Sequence, residues 1–125
     1  MQDSNAHPGM FWLFFSPSGR LSPWPYFLSL LFWLVLPCIA ISQMYEHMGG
    51  DTALALWTFA FLFIAIAGFV SFIMLSIKRV HDLGYPAPLV ILLFVPVASF
   101  FVLVWLVFWP SSGPNAFGER PNAPR

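Results

Sequence analysis

Apolar residues in this sequence are gathered into three long runs, which short polar stretches separate. The runs cover residues 24–42, 53–77 and 88–109, and none of them contains Lys, Arg, Asp or Glu. A helix needs about 20 apolar residues to cross a hydrocarbon core about 30 Å thick. The pattern therefore predicts an all-α membrane protein with three transmembrane helices, one in each run.

The remaining residues include an N-terminal region and a C-terminal tail. Residues 10–15, MFWLFF, are too few to cross a membrane, and their aromatic rings favour a short segment at the membrane interface. Polar residues 1–9 precede it, so we interpret residues 1–22 as a loose tail followed by this interfacial segment. Residues 110–125 are rich in Pro, Asn and Gly, which predicts a polar tail outside the bilayer.

Pro96 interrupts the third run and leaves two interpretations open. The run could cross the membrane once as a helix kinked at Pro96, or it could turn back there as a re-entrant hairpin. In the hairpin each arm, residues 88–95 or 97–109, would be too short to cross, and the turn would need protein or water to satisfy its backbone. We therefore expect a single kinked crossing.

Composition argues against a soluble domain. Hydrophobic residues make up 59% of the chain and charged residues 8%, against about 25% charged residues in soluble domains. The lipid bilayer is therefore the first predicted partner. Five basic residues balance five acidic ones, so the chain lacks a positive field that would attract nucleic acid. The single cysteine, Cys38, excludes an internal disulfide.

The basic residues predict how the chain is oriented. Arg20, Lys78 and Arg79 fall on one side of the predicted helices, whereas residues 43–52 contain no Lys or Arg. In the inner membrane of a bacterium, the positive-inside rule places the N-terminus and residues 78–86 in the cytoplasm. Three crossings then place the C-terminal tail on the opposite side.

The stretch KRVHDLGYP, residues 78–86, concentrates charge between two apolar runs. Lys78 and Arg79 are typical of a helix C-terminus, where cations stabilise exposed carbonyl groups. Gly84 and the proline after Tyr85 are stop signals. These roles leave the His-Asp pair in the middle of the stretch unexplained.

Asp82 is predicted to form an ion pair with Arg20. Two crossings separate the residues, so both lie on the same face of the membrane whichever way the protein is inserted. A carboxylate near lipid is costly without a partner. We expect the pair to dock the start of the first span against the end of the second.

His81 can be interpreted as a structural residue, hydrogen-bonded near the interface, or as a proton carrier. We expect the structural role. Neither a metal site nor a cofactor is predicted, because His7, His47 and Cys38 lack ligand spacing. No catalytic arrangement of a nucleophile with a base is visible, so we do not expect an enzyme.

Three stretches together resemble the domain-of-unknown-function 805 family of small bacterial inner-membrane proteins. They are SGRLSPWPYF at 18–27, KRVHDLGY at 78–85 and PNAFGERP at 114–121, similar to the family in order and spacing. The resemblance covers residues 11–121 and implies a membrane fold without assigning an activity. The family marks fall on Gly19, Arg20, Lys78, Arg79, His81, Asp82, Gly84, Asn115, Phe117, Gly118 and Pro121.

We expect these marked residues to form a structural or interaction cluster. The hypothesis that follows is a non-enzymatic accessory or scaffolding subunit of a larger bacterial membrane complex. Its Phe- and Trp-rich helices would contact other integral membrane proteins or a second copy of the chain. The alternative is a component of a small transporter or channel, with His81 and Asp82 at a polar entrance.

Overall fold

All regular structure in the described part of the chain is helical. A computed structural model describes residues 9–123, so the loose tail predicted for residues 1–9 lies outside the described residues except for Gly9. The predicted all-α class is confirmed. The helices are α1 (Met10–Phe15), α2 (Pro23–Glu46), α3 (Asp51–Asp82), a 3₁₀ helix (Ala87–Phe94) and α4 (Ala98–Phe108).

Helices α2 and α3 are long and apolar enough to cross a membrane. Mean hydropathy over their most apolar window is 2.0 in α2 and 2.6 in α3. At 1.5 Å per residue they are about 36 and 48 Å long. Each contains the run predicted for it and continues about one turn further at its C-terminal end.

Helix α3 ends where Gly84 allows the backbone to turn. Gly84 has a φ of +89°, and the N–H of Tyr85 donates to the carbonyl of Val80 at 2.9 Å. This bond and the left-handed glycine form a Schellman motif, a common helix ending. The stop signal inferred from Gly84 is confirmed.

The third apolar run does not form one helix. It divides into the 3₁₀ helix and α4, which pack against each other. Tyr85 lies before the 3₁₀ helix and Trp105 near the end of α4, yet their ring centroids are 5.4 Å apart. The two ends of the run therefore lie together. The prediction of a single kinked crossing over residues 88–109 is wrong, and the run is a helical hairpin that turns at Pro96.

The tip of the hairpin satisfies its own backbone. The N–H of Ala98 donates to the carbonyl of Pro96, and that of Ser99 to the carbonyl of Val95, both at 2.8 Å. Val97 has φ 69° and ψ −54°, which makes the tip a γ-turn of the rare type with a positive φ. These local bonds provide partners for part of the backbone that a turn within lipid would otherwise leave unsatisfied.

Because the hairpin turns back, the C-terminal tail returns to the end of the bundle where α3 ends. The N–H of Ser112 donates to the carbonyl of Asp82 at 3.2 Å, and the N–H of Asn122 to the carbonyl of Arg20 at 2.8 Å. The prediction that the tail lies on the opposite side from residues 78–86 is therefore wrong. The error followed from counting three crossings.

Burial is concentrated at this same end. In α3 every buried residue lies between Ser71 and Asp82. In the first part of α3 no side chain is buried, and Leu56, Phe59 and Phe63 are 65%, 69% and 74% exposed. The packed part of the bundle is thus the part that surrounds the end of α3.

Candidate functional site

Four charged side chains are fully buried where α3 ends. We call Arg20, Lys78, Arg79 and Asp82 the buried charge cluster, and each has a relative exposure of 0%. Charged residues are almost never fully buried unless they are paired. The partners of these four residues therefore define what the site can do.

Asp82 lies at the centre of the buried charge cluster. Its Oδ1 accepts a hydrogen bond from Nε of Arg20 at 3.1 Å, and its Oδ2 accepts one from Nη1 of Arg79 at 2.8 Å. The hydroxyl of Ser111 also donates to Oδ2. The predicted Arg20–Asp82 ion pair is confirmed. It joins the segment before α2 to the last residue of α3.

Arg20 uses all three of its guanidinium nitrogen atoms. Besides the bond to the Asp82 carboxylate, its Nη1 donates to the carbonyl of Gly118 at 3.0 Å. Its Nη2 donates to the backbone carbonyls of Ser112 and Asp82. Gly118 has a φ of +150°, and a Cβ there would lie 3.4 Å from Cδ of Arg20. A glycine is therefore favoured where the tail crosses Arg20.

Lys78 and Arg79 stabilise the C-terminal ends of two other helices. The ammonium of Lys78 donates to the carbonyls of Trp12 and Leu13 in α1, and it lies 4.4 Å from the centre of the Trp12 ring. Nε of Arg79 donates to the carbonyl of Leu106 in α4 at 2.6 Å. Carbonyl groups at a helix C-terminus lack intrahelical partners and carry partial negative charge. The sequence predicted this role for α3 alone.

His81 connects the segment before α2 to the tail. Its Nδ1 donates to the carbonyl of Gly19 at 3.2 Å, and its ring is stacked on Phe117 with a centroid distance of 4.2 Å. Its backbone carbonyl accepts a hydrogen bond from the side chain of Asn115 at 3.1 Å. These contacts agree with the structural interpretation of His81, and the proton-carrier role stays a prediction.

Three tail residues that the sequence analysis missed contribute directly to the site. The hydroxyl of Ser112 donates to the backbone carbonyl of Asp82 at 2.7 Å, next to the bond made by Ser111. The side chain of Asn122 accepts from the N–H of Ser22 and donates to its hydroxyl, at 2.9 and 3.0 Å. From the sequence alone, Ser111 and Ser112 would indicate contacts with Asp82 only if the third run were known to turn back.

Most of the predicted site residues are brought together by the side-chain contacts described above, and two, Gly84 and Pro121, take no part in those contacts. Gly84 shapes the turn after α3. Pro121 is half-buried in the tail, next to Asn122, and its role stays a prediction. The residues brought together are Gly19, Arg20, Lys78, Arg79, His81, Asp82, Asn115, Phe117 and Gly118.

The buried charge cluster connects several segments of the chain. Its donors and acceptors are committed to one another, to backbone carbonyls or to the hydroxyl of Ser111, so a substrate would have to displace one of those contacts to reach them. Between residues 9 and 123, no three His, Cys, Asp or Glu side chains lie close enough to hold a metal ion. The contacts join α1, α3, α4, the segment before α2 and the tail.

Comparison with known proteins identifies the family of this chain. The chain matches the model of a family described as "Protein of unknown function (DUF805)" over residues 14–119. No curated protein and no solved structure matches the chain. The matched range contains the whole buried charge cluster and the tail as far as Glu119, and it leaves out Pro121. The resemblance inferred from three motifs is therefore confirmed, and the chain belongs to the DUF805 family.

Proposed function

We propose that this chain is a non-enzymatic integral membrane protein of the bacterial inner membrane, acting as an accessory or scaffolding subunit of a larger complex. The observation that carries the proposal is the division between its interior and its surface. The four side chains of the buried charge cluster are enclosed, whereas large apolar side chains such as Leu34 (62%) and Phe63 (74%) are exposed on both long helices. Such a surface fits lipid or the helices of another membrane protein.

The hydrogen bonds that Asp82 already accepts from Arg20 and Arg79 support a role without catalysis. A general acid or base must reach the proton that it transfers. Both carboxylate oxygens of Asp82 already accept hydrogen bonds from buried partners. The cluster is therefore better suited to holding the fold than to turning over a substrate.

The topology that we propose has two crossings, formed by α2 and α3, with the hairpin entering from the cytoplasmic side. Its arms contain 8 and 11 residues and reach about 16 Å each, half of the hydrocarbon core. The positive-inside rule supports this orientation, because residues 43–52 carry no Lys or Arg. Four basic residues belong to the opposite end: Arg20, Lys78, Arg79 and Arg120.

Reporter fusions test this topology. A fluorescent protein that folds only in the cytoplasm is fused after residue 125, and alkaline phosphatase, which is active only in the periplasm, is fused there in a matched strain. We expect fluorescence and no phosphatase activity, and the reverse for phosphatase inserted at Gly49. Active phosphatase both at Gly49 and after residue 125 would mean a third crossing and would contradict the proposed hairpin in the membrane. Activity after residue 125 alone would contradict the proposed orientation.

A photoreactive amino acid on the apolar surface tests the subunit role. It is placed in native membranes at one exposed position in each of three helices, Ile39, Phe63 and Phe101 (48%, 74% and 65% exposed). A partner seated on one face gives an adduct of a single discrete mass from one position, and the other two positions are the controls. If the protein migrates as a lone protomer after irradiation of each of the three variants, the subunit role is contradicted.

The alternative, a transporter or channel component, gains no specific support from the site. It requires His81 and Asp82 at a polar entrance, whereas Asp82 has no exposed surface. It predicts a flux that substitution of Asp82 abolishes without loss of the folded protein. We expect instead that substitution of Asp82 lowers the free energy of unfolding.

A further inference from the structure

One pocket lies beside the buried charge cluster without being part of it. Its volume is about 260 Å³, and it lies between the end of α3, the base of the hairpin and the start of the tail. Polar and aromatic side chains form much of its wall. The lining includes Leu83, Tyr85, Trp105, Trp109, Ser111 and Ser112.

We propose that this pocket binds the phosphate of an anionic phospholipid headgroup. The inference rests on the proposed insertion into a membrane, and it adds a ligand class that the proposed function does not name. Three properties of the pocket carry it: the hydrogen-bond donors of its wall, the charge behind it and the apolar surface beside it.

The wall offers donors to an acceptor-rich ligand. Within residues 9–123, no hydrogen bond uses the hydroxyl of Tyr85 or the indole N–H of Trp105 or Trp109. An indole N–H can only donate. The hydroxyls of Ser111 and Ser112 already donate to Asp82, so their oxygen atoms are oriented by the cluster. No Asp or Glu lines the pocket, so no formal negative charge in its wall repels an anion.

The charge behind the pocket is positive. The buried charge cluster holds three cations and one carboxylate, an excess of two positive charges. Arg79 lies directly behind the wall, since its Nη2 donates to the backbone carbonyl of Trp109. In a low-dielectric surrounding this excess attracts a negative headgroup. A zwitterionic headgroup would bring an ammonium close to the same positive charge.

The surroundings favour a lipid over a soluble phosphate compound. Tyr85 and Trp109 are 46% and 58% exposed at the rim, and such aromatic rings prefer the level of the headgroups. Phe108, beside Trp109, is 77% exposed and Val104 is 41% exposed. These side chains provide an apolar surface along which acyl chains can lie when the phosphate is in the pocket.

Native mass spectrometry of the full chain in a neutral detergent tests the proposal. The protein is titrated with phosphatidylglycerol or with phosphatidylcholine of the same acyl chains. Both lipids carry the phosphate, so the preference depends on net charge: the positive cluster repels the choline ammonium, and we expect phosphatidylglycerol to bind about tenfold more tightly. Equal binding of the two lipids would overturn the inference.

The test variant is Trp105→Phe/Trp109→Phe, which keeps both rings and removes both N–H donors. We expect its affinity for phosphatidylglycerol to fall at least about tenfold, because two donors to the phosphate are lost. The matched control, Trp24→Phe/Trp57→Phe, makes the same chemical change away from the pocket and should keep the affinity of the unaltered chain. An affinity retained by the pocket variant, at unchanged thermal stability, would overturn the proposed site.

Two further measurements separate the sources of failure. Soluble glycerol 1-phosphate should bind at least about a hundredfold more weakly than phosphatidylglycerol, and equally tight binding would overturn the lipid as the ligand. Incorporation into phosphatidylcholine bilayers, resistant to alkaline extraction, is expected from membrane insertion alone. A chain that fails to incorporate would overturn the proposed function, whereas one that incorporates but binds both lipids equally would overturn only this inference.

Discussion

The two ends of this helical bundle are built on opposite principles. At the end where α3 stops, four charged side chains are fully buried and each of them is hydrogen-bonded. At the other end, around residues 43–52, the helices leave apolar side chains on the outside and bury hardly any of them. A soluble protein of this size would have the reverse arrangement, with an apolar interior and a charged surface.

The difference between the two ends shows which side chains must be surrounded by protein and which can be exposed to lipid. Lipid solvates an exposed Phe or Leu as well as a protein core does, so the apolar helix faces lose little when they remain unpacked. Lipid cannot hydrogen-bond a guanidinium or a carboxylate, so these groups must find partners within the chain. The bundle is therefore closely packed where it is polar and loosely packed where it is apolar. Three pairs of substitutions test this comparison.

The largest difference between the ends is expected for carboxylates. Asp82→Ala leaves two buried guanidinium groups without their counter-ion and should lower the free energy of unfolding by about 3–5 kcal/mol. Glu46→Ala, in the exposed last turn of α2, should change it by less than about 0.5 kcal/mol. Reversible unfolding in mixed micelles of mild detergent and dodecyl sulfate measures both. Equal effects would contradict the contrast between the two ends.

A double-mutant cycle isolates the Arg20–Asp82 interaction from the rest of the cluster. Arg20→Ala and Asp82→Ala should be coupled by about 1–3 kcal/mol, since the two side chains are in contact. Additive effects would mean that the pair contributes nothing beyond the separate loss of each side chain.

A second comparison uses leucines of the same helix. Leu75 has 0% exposure near the packed end of α3, whereas Leu56 is 65% exposed toward the open end. Leu75→Ala should cost about 3 kcal/mol because it leaves a cavity, and Leu56→Ala less than about 0.5 kcal/mol. A cost for Leu56→Ala close to that of Leu75→Ala would indicate that the open end is packed against a partner even in detergent.

The smallest expected difference concerns single hydroxyl groups. The hydroxyl of Tyr26 is buried and shares a hydrogen bond of 2.9 Å with Ser76, so Tyr26→Phe should cost about 1 kcal/mol. Tyr45 is 76% exposed at the open end, and Tyr45→Phe should be neutral within about 0.3 kcal/mol. The same unfolding assay applies, and a neutral Tyr26→Phe would show that hydrogen bonds between α2 and α3 do not stabilise the packed end.

The Arg20–Asp82 pair was predictable from sequence because it depends on few assumptions. Two apolar runs of spanning length separate the residues, which places them on one side for any orientation, and a carboxylate near lipid needs a cation. The positions of α2 and α3 were predictable for a similar reason, since length and hydropathy define both. The glycine and proline after α3 marked its end in the same local way.

The hairpin could not be predicted from the pattern of apolar residues. A run of 22 apolar residues has the right length for one crossing, and the pattern is the same whether the chain continues past Pro96 or turns back. The decision depends on the bonds of the γ-turn at Val97 and on the contacts of Arg79 with α4, both of which require coordinates. The roles of Ser111, Ser112 and Asn122 were missed as a result, because the tail had been placed on the wrong side.

The large sequence separation between Arg20 and its partners has a consequence for biosynthesis. Its partners in Asp82, Ser112 and Gly118 lie 62, 92 and 98 residues further along the chain. While the ribosome is still making α3, Arg20 has none of these partners, and the bundle gains its final contacts only when the tail emerges. A nascent chain cut short before the tail would therefore carry an incompletely bonded arginine at this end of the bundle.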